Sequence, residues 1–89
     1  MRCYQILIKG NVQGVGYRIT TQRKAHELNI TGWVKNEPNG SVVIFAEGAE
    51  PAVQHLIDWC YTGSPLSKVE EVDAIETSVQ GFCTFEIRK

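Results

Sequence analysis

Three glycines fall within seven residues at Gly10-Asn11-Val12-Gln13-Gly14-Val15-Gly16, and Tyr17-Arg18 follows directly. An alternating apolar run precedes this stretch and an amphipathic run follows it, so it reads as the loop joining a first strand to a first helix. Glycine admits positive φ and lets a ligand approach the backbone closely. A glycine-rich turn that opens a helix also aims several N–H groups one way, which makes an anion cradle. Arg18 closes the loop with a planar fork of donors suited to phosphate or carboxylate. Two phosphate motifs are excluded. A Walker loop needs Gly-Lys-Ser/Thr, and no Lys follows a glycine here; the dinucleotide fingerprint needs a small residue where Ile19 stands.

The flanking patterns predict the remaining elements. Residues 3–9 alternate, with Tyr4, Ile6 and Ile8 on one face and Gln5 and Lys9 on the other, as in a half-buried strand. From Tyr17 to about Leu28 a helix is expected, its sparse core side made of Tyr17, Thr21, Ala25 and Leu28, with Asn29 as its stop. Trp33 to Asn36 reads as a short strand, Glu37-Pro38-Asn39-Gly40 as a turn, and Ser41 to Glu47 as the returning β-branched strand. Asn36 thus sits where the hairpin turns. Pro51 suits the first turn of a second helix, in which Val53, Leu56, Ile57 and Cys60 keep the i, i+3, i+4, i+7 spacing; Gly63-Ser64-Pro65 ends it. Val69 and Val72 are out of phase, which predicts a bulge near Glu70-Glu71 in a strand from Lys68 to Thr77. Phe82 to Lys89 alternates again, with Cys83, Phe85 and Ile87 on one face. The order β-α-β-β-α-β-β is that of an α+β, ferredoxin-like split βαβ sandwich, an antiparallel sheet with two helices on one face and a short extra strand.

The 89 residues suit one small domain, residues 1–89. A net charge of −1 argues against a general nucleic-acid or membrane-surface binder. Its distribution says more. Residues 1–36 carry six Lys/Arg and one acid, whereas residues 37–89 carry three Lys/Arg and nine acids. The basic part holds the glycine-rich loop, which fits a small anionic ligand. No apolar run is long enough to span a bilayer, and Lys9-Gly10 cuts short the N-terminal apolar run that a signal peptide needs. A cytoplasmic location is the expectation. Cys3, Cys60 and Cys83 match no zinc pattern and read as reduced, small apolar residues. His26 and His55 lie on helices and read as surface or boundary residues. Tyr17 and Trp33 read as core.

Gly10-Asn11-Val12-Gln13-Gly14-Val15-Gly16-Tyr17-Arg18 resembles the first signature of the acylphosphatases. Gly32-Trp33-Val34-Lys35-Asn36, followed by Gly40-Ser41-Val42, resembles the second. The similarity spans nearly the whole chain, and two spaced motifs are far more specific than one. It implies a metal-independent hydrolase of the carboxyl–phosphate bond of acyl phosphates, with no cofactor and with inorganic phosphate as product and inhibitor; for the oligomeric state, monomer is the default expectation. It assigns Arg18 to the phosphate and the backbone of Gln13, Gly14, Val15, Gly16, Tyr17 and Arg18 to its oxygens. Asn36 it assigns to the nucleophilic water. The chemistry is consistent with so spare a site. The leaving carboxylate is already a stable anion, so no strong general acid is needed, and a loose transition state asks mainly for positioning and charge stabilisation. The chain departs from the common pattern at Tyr17, where Phe is usual, at Lys35, where Arg is usual, and at Asn39, where Asp is usual; none of the three removes an expected catalytic group.

Two other readings compete. One is a ferredoxin-like binding module, since RNA-recognition domains share the topology, but their Lys/Arg-Gly-aromatic motif is absent. The other is a non-catalytic accessory relative, because acylphosphatase-like domains occur fused within carbamoyl-transferring hydrogenase-maturation proteins. The end of the chain at Lys89 favours a free-standing enzyme.

Overall fold

The computed structural model describes all 89 residues, Met1 to Lys89. The elements are β1 (Arg2–Asn11), α1 (Tyr17–Glu27), β2 (Thr31–Asn36), β3 (Val42–Gly48), α2 (Glu50–Cys60), β4 (Lys68–Thr77) and β5 (Phe85–Arg88). They form one five-stranded sheet in the order β4-β1-β3-β2-β5. The first four strands of that order are antiparallel neighbours, as the sequence predicts. The fifth differs: β5 pairs with β2 in parallel, Gly32 opposite Phe85 and Lys35 opposite Arg88, so the sheet is mixed.

Alternation in β1 puts Ile6 and Ile8 on the helix-covered face, where Val34, Val42, Ile44 and Ala46 join them. Against this layer α2 presents Val53, Leu56 and Cys60, and α1 presents Tyr17 and Ala25. Burying a side chain of this size contributes roughly 1.5–3 kcal/mol, so the sandwich rests on this one contiguous layer. Thr21 occupies the third buried position of α1, its hydroxyl donating to the Tyr17 carbonyl at 2.7 Å. A helix with so few apolar residues is therefore held by its neighbours rather than by a broad apolar stripe.

Asn29 ends α1 as expected, at φ 58°. The Ile30 N–H reaches the Ala25 carbonyl at 2.9 Å and the Asn29 N–H reaches that of His26 at 3.2 Å, which is the Schellman arrangement. Ile30 is thereby buried beside Ala25. The bulge expected in β4 is present: Lys9 faces Glu71 while Gly10 faces Val69, leaving Glu70 without an opposite residue.

Several expectations are corrected. Gly10 and Asn11 remain in β1, paired with β4, so the loop proper begins at Val12. The last strand is shorter than the alternating run, because residues 78–84 must first cross from the β4 edge to the β2 edge. The carboxylate of Glu47, itself buried, holds that crossing by accepting the N–H groups of Gln80 at 2.7 Å and Gly81 at 3.1 Å. Cys83 lies on the crossing segment and is exposed, unlike the buried Cys3 and Cys60. Phe85 alone of its predicted face is buried; Ile87 is 37% exposed. Trp33 is half-buried on the helix-free face, stacked on Phe45 with ring centroids 4.7 Å apart and covered by the Arg88 guanidinium at 4.8 Å.

Candidate active site

Val12, buried, follows the last residue of β1, and residues 13–16 lead from it to α1. Gly14 and Gly16 have φ of 72° and 77°, left-handed values that a side chain would strain. Gly16 is the N-cap of α1, and no side chain caps the helix start. No acidic residue lies in the first turn either. The leading N–H groups and the positive end of the helix dipole are therefore not already engaged by the protein's own carboxylates or hydroxyls.

Three long-range anchors hold the loop. The Gln13 carboxamide donates to the carbonyls of Glu37 and Ser41, both at 2.8 Å, which ties the loop to the β2–β3 hairpin. The Ser64 hydroxyl donates to the Val15 carbonyl at 2.8 Å. The Tyr17 hydroxyl donates to the Cys60 carbonyl at 2.8 Å. Burial, and after it the neighbouring Cys60 thiol, push the Tyr17 phenol far above its ordinary range, so the hydroxyl stays a donor. The Tyr17 ring packs on Trp59, with centroids 5.6 Å apart.

A cleft of about 200 Å³ opens over the helix start, lined by Gly14, Gly16, Tyr17, Arg18 and Asn36, with Val12, Ile19 and Ile87 at its apolar side. Arg18 enters from the first turn of α1 and Asn36 from the end of β2. The Arg18 guanidinium donates through Nη1 to the Arg88 carbonyl at 2.9 Å, which fixes one prong. The Asn36 side-chain oxygen is shielded from solvent yet has no hydrogen-bond partner. An unpaired shielded acceptor costs about 1–3 kcal/mol, and such groups concentrate where function needs them.

The structure thus brings together Arg18, Asn36 and the backbone of Gly14, Gly16 and Tyr17. The side chain of Gln13 and the carbonyl of Val15 face anchoring partners, and these bonds leave the backbone N–H groups of both residues unengaged. Contributors outside the expected set include Val12, Ile19, Ile87, Ser64 and the carbonyl of Arg88. Ile87 and Arg88 gave no signal, because the parallel pairing of β5 brings them to the cleft. His26 and His55 are exposed on their helices, as expected.

A ferredoxin-like sandwich with a glycine loop, an arginine and an asparagine around one cleft at a helix start defines a class of small phosphate-handling α+β domains. The comparisons narrow it. The acylphosphatase family model matches residues 4–87. The acylphosphatase of Acaryochloris marina is 46% identical over 85 residues, which is 96% of this chain and 91% of that protein. That of Methylococcus capsulatus is 46% identical over 81 residues, covering 91% and 88%. The crystal structure of the acylphosphatase from Bacillus subtilis superimposes with a TM-score of 0.97 at 41% identity, each chain fully covered. The chain belongs to the acylphosphatase family, and its activity is that of the family: hydrolysis of acyl phosphates to carboxylate and inorganic phosphate.

Proposed function

We propose that the reaction is carried by Arg18, the loop amides and Asn36, without metal or cofactor. The Arg18 prong left beside its bond to Arg88 and the N–H groups of Gln13 to Arg18 hold the phosphoryl oxygens. The Asn36 side-chain oxygen accepts a hydrogen bond from water and aims its lone pair at phosphorus. The new P–O bond forms as the phosphorus–acyl oxygen bond breaks. The electron pair leaves on the carboxylate, and the water's proton passes to the phosphate or to solvent. Charge spreading over the phosphoryl oxygens meets donors already in place, so little reorganisation is required.

The observation that carries this reading is the unpaired Asn36 oxygen in the same cleft as Arg18 and the uncapped helix start. We further infer one domain, residues 1–89, acting as a monomer on a small acyl phosphate in the cytoplasm. The single contiguous core and the three unpaired thiols support this. A nucleic-acid-binding role has less support, because the sheet aromatics Trp33 and Phe45 stack on each other and the Arg88 guanidinium covers Trp33.

The test is turnover of benzoyl phosphate beside a serine phosphate, each with and without a strong chelator, and with inorganic phosphate as inhibitor. Rapid, chelator-resistant hydrolysis of the acyl phosphate alone, inhibited by phosphate, is expected. Comparable turnover of the monoester, or activity lost to the chelator and restored by magnesium, would refute the mechanism.

A further inference from the structure

Two large apolar residues, Ile19 at 43% and Ile87 at 37% exposure, stand in solvent at the same cleft as Arg18 and Asn36. They come from different elements, the first turn of α1 and the parallel strand β5. The other strongly exposed apolar side chains, such as Tyr61, Leu66 and Ile75, lie away from it. The cleft is accordingly two-sided. Its polar side is the glycine loop with Arg18 and Asn36, and its apolar side is Val12, Ile19 and Ile87. Arg18 is the one charged residue that lines it.

We infer that Ile19 and Ile87 form the acyl subsite, and that the preferred substrates are acyl phosphates whose acyl group is uncharged and apolar. This rests on the proposed placement of the phosphoryl group against Arg18 and the loop. With the phosphoryl group on the polar side, the acyl carbon chain leaves the anhydride oxygen toward the only other lined wall. At about 200 Å³ the cleft is smaller than the roughly 300–1,000 Å³ of pockets for drug-sized ligands. It suits a phosphoryl group plus a short chain or one ring. An acyl group carrying a second phosphate or a carboxylate would set an anion against two isoleucines with no cation to meet it, at a desolvation cost. A methylene fully transferred from water is worth about fourfold in affinity; on a half-open wall about twofold is expected.

The experiment measures kcat/KM for acetyl, butyryl and hexanoyl phosphate, with succinyl phosphate as the charged comparison to butyryl. It compares wild type with Ile19→Ser, Ile87→Ser and the double variant, and records inhibition by inorganic phosphate for each. Because both side chains are exposed, the variants should fold. In the wild type kcat/KM should rise about twofold per methylene, mainly through KM, with succinyl phosphate at least tenfold below butyryl phosphate. The double variant should flatten the chain-length series while phosphate inhibition persists. A flat series in the wild type, or variants that keep its slope, would overturn the subsite. Loss of phosphate inhibition in the variants would also overturn it by assigning the two residues to the phosphate side. No turnover of any acyl phosphate, acetyl phosphate included, would instead count against the underlying reaction.

Discussion

The Ser64 hydroxyl donates to the Val15 carbonyl at 2.8 Å, joining the segment after α2 to the middle of the glycine loop. In a planar peptide the carbonyl and the following N–H point in opposite directions. Holding the Val15 carbonyl toward Ser64 therefore turns the Gly16 N–H to the other side, where the cleft lies. Ser64→Ala leaves that carbonyl without its partner and should cost about 1 kcal/mol of stability by urea denaturation. Phosphate should also inhibit several-fold less well, with the amide of Gly16 no longer shifting strongly in an NMR phosphate titration. A loss of stability with unchanged phosphate affinity would make Ser64 a packing residue only.

Arg18 is shared between the Arg88 carbonyl and the cleft. Arginines that meet transition-state charge in phosphoryl transfer can be worth roughly 10³–10⁵ in rate. Arg18→Ala should lose phosphate binding and nearly all turnover while remaining folded by circular dichroism, since the side chain is not part of the core. Arg18→Lys should stay badly impaired, because an ammonium cannot contact the Arg88 carbonyl and two phosphate oxygens in one plane. Near-normal activity in a folded alanine variant would remove Arg18 from the site.

Asn36 should act on turnover more than on binding. Asn36→Ala should lower kcat by orders of magnitude while phosphate inhibition changes little, whereas removing a uniform binding contact would instead raise KM. Asn36→Asp should fail as well, since its negative charge repels the phosphoryl anion even though a carboxylate oxygen can still accept from water. The alanine variant should lose no stability, because it deletes an acceptor that has no partner.

The thiols predict a pattern in labelling and in pH. Cys83 is exposed, while Cys3 and Cys60 are buried, so one thiol should react in the native protein and three in denaturant. Burial pushes the Cys60 thiol up to about 12 and raises that of Cys3 in the same direction. Between the ordinary thiol value, about 8.5, and 12 the unfolded chain sheds protons that the folded chain keeps. Stability should therefore be fully present below about pH 8.5 and fall as pH rises. Urea midpoints measured from pH 7 to pH 11 check this, and Cys60→Ala should fall less steeply than the wild type. A midpoint constant to pH 11 would contradict it.

Much of the fold was legible because its causes are local. Alternation marked β1, the β-branched run from Val42 to Ile44 marked β3, the helical spacing of Val53, Leu56 and Cys60 marked α2, and the phase slip between Val69 and Val72 marked the bulge at Glu70. The glycine loop and Arg18 were readable as a strand-to-helix turn, since left-handed turns and helix starts leave local signatures, whereas Asn36 stood out from an ordinary turn residue only through the resemblance of the two motifs. Helix α1 was harder. Its core side is Tyr17, Thr21 and Ala25, too polar for periodicity alone to define, and packing against the sheet settles it.

By itself, then, the sequence determined the order of elements and the left-handed glycine turns of the loop, and it put forward the residues proposed to meet a phosphate. Steric limits on φ and ψ and the pattern of apolar side chains act between near neighbours, and they are written in the chain. Only the tertiary structure decided how β5 joins the sheet. A short alternating run fits either direction along an open edge, so the choice rests on the crossing of residues 78–84, held by Glu47. That choice pairs β5 in parallel with β2. It leaves Cys83 in solvent, turns Ile87 into a wall of the cleft and sets the Arg88 carbonyl against Arg18. These contacts join residues as many as 70 positions apart, and no local rule of chain geometry specifies them.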